Sequence, residues 1–165
     1  MEGIKQKFAQ CKREGRTALV TYVTAGYPTP GETADILLGM EAGGAGVFFC
    51  ASSSIPFADS LSLDLIELGL PFTDPIADGP TIQKANTQAL KNGVTVTSTL
   101  DIVRNARKRG LKAPVLLMGY YNPLLSYGEE RILKDSREAE VNGFIVVDLP
   151  PEEAVKFRNF CTRGG

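Results

Sequence analysis

The sequence predicts an α/β protein made of parallel βαβ units, and three observations carry that expectation. Short runs of β-branched and aliphatic residues alternate with segments of helical periodicity. Each run ends in a loop holding polar or aromatic residues. No G-x-G-x-x-G follows the first run, which counts against an open dinucleotide-binding sheet. Four such units are visible. The arrangement suits a (β/α)8 barrel, whose functional residues sit at the C-terminal ends of the strands. A doubly wound open sheet is the alternative.

Taken in order, residues 2–14 place Ile4, Phe8 and Cys11 at helical spacing, with Gly15 as a stop signal. Residues 18–24 (ALVTYVT) read as a strand buried on both faces, followed by a loop at 25–28. A helix is expected over 30–43, with Ile36, Leu37 and Met40 on its apolar face. The second strand is the short run 65–68, and a Pro- and Gly-rich loop follows it from Gly69 to Pro80. Helices are expected near 81–92 and 97–109, then a strand over 113–118 with its loop at 119–123. A helix near 128–140 leads to a strand over 143–148. The run Leu149-Pro150-Pro151-Glu152-Glu153 opens a last helix, with Pro and Glu where first turns favour them.

Composition narrows the chemistry. The chain of 165 residues is 43% apolar and 22% charged, an ordinary globular balance. Its net charge of −1 and pI near 5.6 speak against a nucleic-acid partner, which needs clustered Lys and Arg. No apolar run approaches the length of a membrane span. The charged N-terminal stretch has no apolar core of a signal peptide. The cysteines at 11, 50 and 161 form no C-x-x-C pair, so a cytoplasmic setting is expected. There is no histidine, which removes Ser–His and Cys–His nucleophiles, His-ligated metals and His bases together. Acid–base work falls to other groups, with carboxylates first.

The most informative stretch is residues 65–83, LIELGLPFTDPIADGPTIQ. It resembles the signature of the tryptophan synthase alpha family, ELG-x-PF-[ST]-DP-x-ADGP-x-IQ. Residues 20–26 (VTYVTAG), 117–123 (LMGYYNP) and 147–153 (VDLPPEE) are similar to further family segments. The wording is most similar to the fused fungal members, in which an alpha module precedes a pyridoxal-phosphate beta module. The resemblance implies a TIM-type (β/α)8 barrel with an extra N-terminal helix, here limited to about its first four βα units.

It also implies a reaction, the retro-aldol cleavage of indole-3-glycerol phosphate to indole and glyceraldehyde 3-phosphate. Glu67 matches the family's catalytic glutamate and Asp78 its catalytic aspartate. The chemistry accounts for these residue types. Carbon–carbon cleavage from indole needs a proton delivered to C3 and another removed from the glycerol hydroxyl, which a carboxyl group at an apolar strand end can shuttle. Positive charge then develops on the ring, and an ionised carboxylate accepting the N–H stabilises it. Without the signature, Asp78-Gly79-Pro80 would read simply as a turn. Tyr22, Met118, Tyr120, Ile145 and Val147 match positions lining the family's indole pocket, where aromatic and aliphatic side chains sandwich a flat ring. Ile145 and Val147 would otherwise read as core. Pro71 and Asp74 match the loop that contacts the beta partner, Asn122 could donate to that loop, and Asp148 is expected to support it by a hydrogen bond. No metal is implied. Pyridoxal phosphate is expected only in a beta module.

Two departures from the family pattern stand out. Residues 46–63 (GVFFCASSSIPFADSLSL) interrupt GGA-D-x-IELG, and their removal restores the family spacing. With neither Lys nor Arg, and with Phe48, Phe49, Ile55 and Phe57 among its apolar residues, the segment makes a poor surface loop. It reads as a translated intron, with a genuine loop as the rival reading. The chain also stops near the fourth helix, short of the roughly 250 residues of a full barrel. The family's glycine-rich phosphate cradle belongs to strands seven and eight. The expectation is therefore a chain that folds poorly or self-associates through open strand edges and does not complete the cleavage alone. A non-catalytic fragment that docks on a beta partner is the alternative.

Overall fold

The computed structural model describes residues 2–43 and 63–164. Most of the 46–63 segment, and with it the question of intron or loop, lies outside the described residues. The elements run α1 (Glu2–Arg13), β1 (Leu19–Thr24), α2 (Pro30–Ala42), β2 (Leu63–Gly69), α3 (Pro80–Lys91), α4 (Val96–Lys108), β3 (Val115–Tyr120), α5 (Tyr121–Tyr127), α6 (Glu129–Glu138), β4 (Gly143–Val147) and α7 (Pro151–Gly164). Among the described residues, four strands form one parallel sheet in the order β1-β2-β3-β4. Sequential order is what a barrel wall has. A doubly wound sheet would reverse direction at a switch point.

Strand alternation divides the residues between two faces. Ile66 and Leu68 of β2 and Val115 and Leu117 of β3 share one face and are almost fully buried. They meet Leu37 of α2 and Leu100, Val103 and Ala106 of α4 in the main core. That packing sets the helices against the outside of the sheet. Proline at the first turn starts both α2 and α3, where its missing N–H costs nothing. At α4, Thr95 and Ser98 form a reciprocal capping box.

Ionic struts close the N-terminal end of the sheet. Asp64, with its side chain fully buried, accepts from Arg16 Nη1 and Nη2 at 2.6 and 2.9 Å and from the Leu19 N–H at 2.9 Å. This ties the segment after α1 to the starts of β1 and β2. Arg107 donates to the carbonyls of Leu111, Ala113 and Glu140 and to Asn142 Oδ1, which joins α4 to the bases of β3 and β4. These contacts lie away from the strand ends where loops gather, which suits a role in stability.

Several boundaries differ from the sequence expectation. β2 begins at Leu63, paired with Leu19, so the last residue of the interrupting segment is strand. β3 runs through Tyr120, and residues 121–127, expected to open as a loop, form the short helix α5. Pro123 lies in the first turn of α5, where it is tolerated. Gly128 (φ +98°) ends this helix and starts α6. Tyr121 is held by tertiary packing, edge-on to Phe157 of α7 with ring centres 6.1 Å apart. β4 stops at Val147 because Asp148 turns left-handed (φ +55°), a conformation Asp tolerates better than most residues.

Candidate functional site

Parallel register places six of the seven expected catalytic and pocket residues on the inner face of the sheet, opposite the helices. Tyr22 pairs with Glu67, Met118 with Ile145, and Tyr120 with Val147. Glu67 lies in register with Leu116, two residues before Met118 and four before Tyr120. Since side chains two apart share a face, these rows stack towards the strand ends. Ile145 and Val147 thus fall on the pocket side, while Phe144 and Val146 pack on the helix-side core. Glu67, Tyr22, Met118, Ile145 and Val147 are half-buried and Tyr120 is buried.

The seventh residue, Asp78, arrives from the β2–α3 loop. That loop is stapled to the helix it precedes, because Gln83 Nε2 donates to Asp78 O (2.9 Å) and Pro75 O (3.4 Å). Within it, Ile76 N–H donates to Asp74 O and Asp78 N–H to Pro75 O. The buried Asn86 of α3 brings Nδ2 to 3.4 Å from Asp78 Oδ2. From the sheet side, Tyr120 Oη accepts the Ala77 N–H at 2.8 Å, and its ring lies 4.9 Å from that of Phe72. Tyr120 therefore supports the loop. Asp148 and Asn122, which were expected to do so, make no hydrogen bond to it among the described residues.

The electrostatics bind these groups together. Burial pushes the Tyr22 phenol up from its ordinary value, the Thr24 hydroxyl at 3.3 Å pulls it down, and Asp78 and Glu67 push it up further. Burial likewise raises Tyr120, the Ala77 N–H opposes this, and Asp78 and Asp148 add to the rise. Asp78 is thus close enough to act on both phenols, and Glu67 on Tyr22. The Glu67 carboxylate takes no hydrogen bond from any described residue, which leaves its oxygens open for proton exchange.

Sequence reasoning missed four contributors. Gly69 is required by Tyr22, because a Cβ at Gly69 would sit 2.0 Å from Tyr22 Oη and 2.5 Å from Cζ. Thr24, buried, supplies the hydroxyl partner of Tyr22. Gln83 and Asn86, three apart on α3, both reach back to Asp78, and that helical spacing was a readable signal.

Of the two expected partner-facing residues, Pro71 is buried and Asp74 is exposed, with Ile76 beside it 73% exposed. A cavity of about 530 Å3 opens among Phe72, Asp74, Ile76, Tyr120, Asn122 and Asp148. Among the described residues no cluster of acidic, Cys or His side chains is arranged to hold a metal. None of the described helices is long and apolar enough to cross a membrane.

Comparison with known proteins agrees with this geometry. The profile of the tryptophan synthase alpha chain family matches residues 8–165. Tryptophan synthase of Saccharomyces cerevisiae is 52% identical over 164 residues, which cover 99% of this chain and 21% of the yeast protein. The tryptophan synthase alpha subunit of Legionella pneumophila str. Paris superposes with a TM-score of 0.83 at 34% identity, covering 99% of this chain and 55% of that subunit. A mutant alpha subunit from the hyperthermophile Pyrococcus furiosus gives 0.74 at 35% identity, over 90% of this chain and 52% of its own. The chain thus spans about half the length of the solved alpha subunits, as four units of a (β/α)8 barrel, and it belongs to the tryptophan synthase alpha chain family.

Proposed function

We propose that this chain supplies the acid–base groups and the indole-binding wall for retro-aldol cleavage of indole-3-glycerol phosphate to indole and glyceraldehyde 3-phosphate. The observation that carries the reading is the shared inner face of Tyr22, Glu67, Met118, Tyr120, Ile145 and Val147, with Asp78 held over it.

In this reading Glu67, as a carboxylic acid, gives its proton to indole C3. Asp78 accepts the ring N–H and stabilises the positive charge that appears there. The glycerol hydroxyl nearest the ring then loses its proton to a carboxylate. Its oxygen forms the aldehyde carbonyl as the carbon–carbon bond breaks, and the bonding electrons return to the ring. The products, indole and glyceraldehyde 3-phosphate, balance the substrate atom for atom. Tyr22, Met118, Ile145 and Val147 exclude water and hold the ring flat.

Because the chain spans about half of the solved subunits, we assign the complete reaction to a longer barrel and expect no indole release by this chain alone. The partner is a tryptophan synthase beta module, met by the Asp74–Ile76 corner; pyridoxal phosphate belongs to that module, and the setting is the cytoplasm.

An NMR titration of the labelled chain with indole tests the site. Shift changes confined to Tyr22, Glu67, Met118, Tyr120, Ile145, Val147 and the Asp78 loop support it, and absence of binding or perturbation elsewhere refutes it. Co-purification with a beta subunit, with indole leaving the inner face unperturbed, would favour a docking fragment.

A further inference from the structure

Resting on that reading of the site, we propose that Asn86 is a positioning residue for Asp78, aiming its carboxylate at the N–H of bound indole. Asn86 sits in the middle of α3 and is 3% exposed. Its buried neighbours on the same helix, Ala85 and Ala89, are apolar, and an apolar side chain at 86 would meet the same packing demand. The amide is instead buried at a cost, because Oδ1 has no hydrogen-bond partner among the described residues. What the amide does offer is one donor, Nδ2, to Asp78 Oδ2.

The orientation follows from charge. Turned over, the amide would set its own oxygen against a carboxylate oxygen, so Nδ2 must be the atom that faces Asp78. The backbone of Asp78 is already secured through Gln83 and Pro75. Rotation of the carboxylate is the freedom left, and Asn86 limits it from the helix side, while on the sheet side the adjacent Ala77 N–H is tied to Tyr120 Oη. The 3.4 Å separation is longer than a charge-assisted bond of about 2.8 Å. Such bonds are often slack without substrate and tighten when a ligand fixes the acceptor.

The test compares indole with indene, which has the same shape and lacks the N–H, binding to the chain by NMR titration. The wild-type chain should prefer indole, and Asp78→Asn should remove most of that preference. Asn86→Leu, close to asparagine in shape, should lower the indole-over-indene ratio by about tenfold, the scale of a hydrogen bond to a charged group. Indene affinity should stay within about twofold, since packing is kept. The double variant should lose no more than Asp78→Asn alone.

A merely structural role would weaken both ligands equally, and that result overturns the proposal, as does an unchanged ratio in Asn86→Leu. If circular dichroism shows Asn86→Leu unfolded, Asn86→Ala is judged by the same ratio. A wild-type chain that binds neither ligand, or does not distinguish them, overturns the site reading first and this proposal with it.

Discussion

Replacing Gly69 with alanine is expected to have opposite signs in two backgrounds. In the native background the added Cβ would lie 2.0 Å from Tyr22 Oη, 2.5 Å from Cζ and 2.8 Å from Cε2. Reaching ordinary contact requires the ring to move by about 1.5 Å. Overpacking of this kind costs about 1–3 kcal/mol, and the inner face gives the ring tip room to yield, so the loss should be about 1 kcal/mol. The same movement breaks the 3.3 Å contact between the Tyr22 and Thr24 hydroxyls. With Tyr22→Ala already in place, the obstacle is gone. Gly69 is the last residue of β2 and has no left-handed backbone, so alanine there should stabilise by about 0.5 kcal/mol by restricting the unfolded chain. Urea unfolding of the four proteins, followed by circular dichroism, measures the cycle. An equal cost in both backgrounds would show that Tyr22 is not what makes glycine necessary at 69.

Three further outcomes follow from the same contacts. Burial alone would raise the Asp64 carboxyl, but the Arg16 fork, the Leu19 N–H and the Cys11 thiol outweigh it and bring the group down to about 2 from 3.8. A depressed carboxyl contributes its stability above the unfolded value and loses it as pH falls through about 4 to about 2. The melting-temperature gap between wild type and Asp64→Asn should therefore be largest near neutrality and shrink towards pH 2; a gap independent of pH would contradict the strut. Tyr120→Phe removes the acceptor of the Ala77 N–H, should cost about 1 kcal/mol, and should speed hydrogen exchange at Ala77, whereas unchanged exchange would show the loop is held elsewhere. Leu37→Ala opens a cavity between α2 and the sheet in a fully buried site, with an expected loss of about 3 kcal/mol in chemical denaturation.

Much of the fold was legible because its signals are local. Gly15, Pro30, Pro80 and Pro151 punctuate the helices, and short β-rich runs mark the four strands. The reading failed at α5, where Tyr-Tyr-Asn-Pro has the chemistry of a turn. Burial of Tyr121 against Phe157, some 36 residues on, makes it a helix. The support of the β2–α3 loop was also misassigned, to Asp148 and Asn122 in place of Tyr120. Which side chain reaches across to a loop depends on how neighbouring strands are staggered, and no local pattern records that stagger.

By itself, then, the sequence determined the alternating α/β order and the absence of histidine chemistry, and it singled out Glu67 and Asp78 as catalytic candidates through one contiguous signature. Tertiary structure alone decided that Tyr22, Glu67, Met118, Tyr120, Ile145 and Val147 share a face, that Tyr22 demands glycine at 69, and that Gln83 and Asn86 hold Asp78. The division has a physical cause. Propensity and turn chemistry act over a few residues, whereas strand register and the direction of a buried side chain are settled only when distant segments pack together.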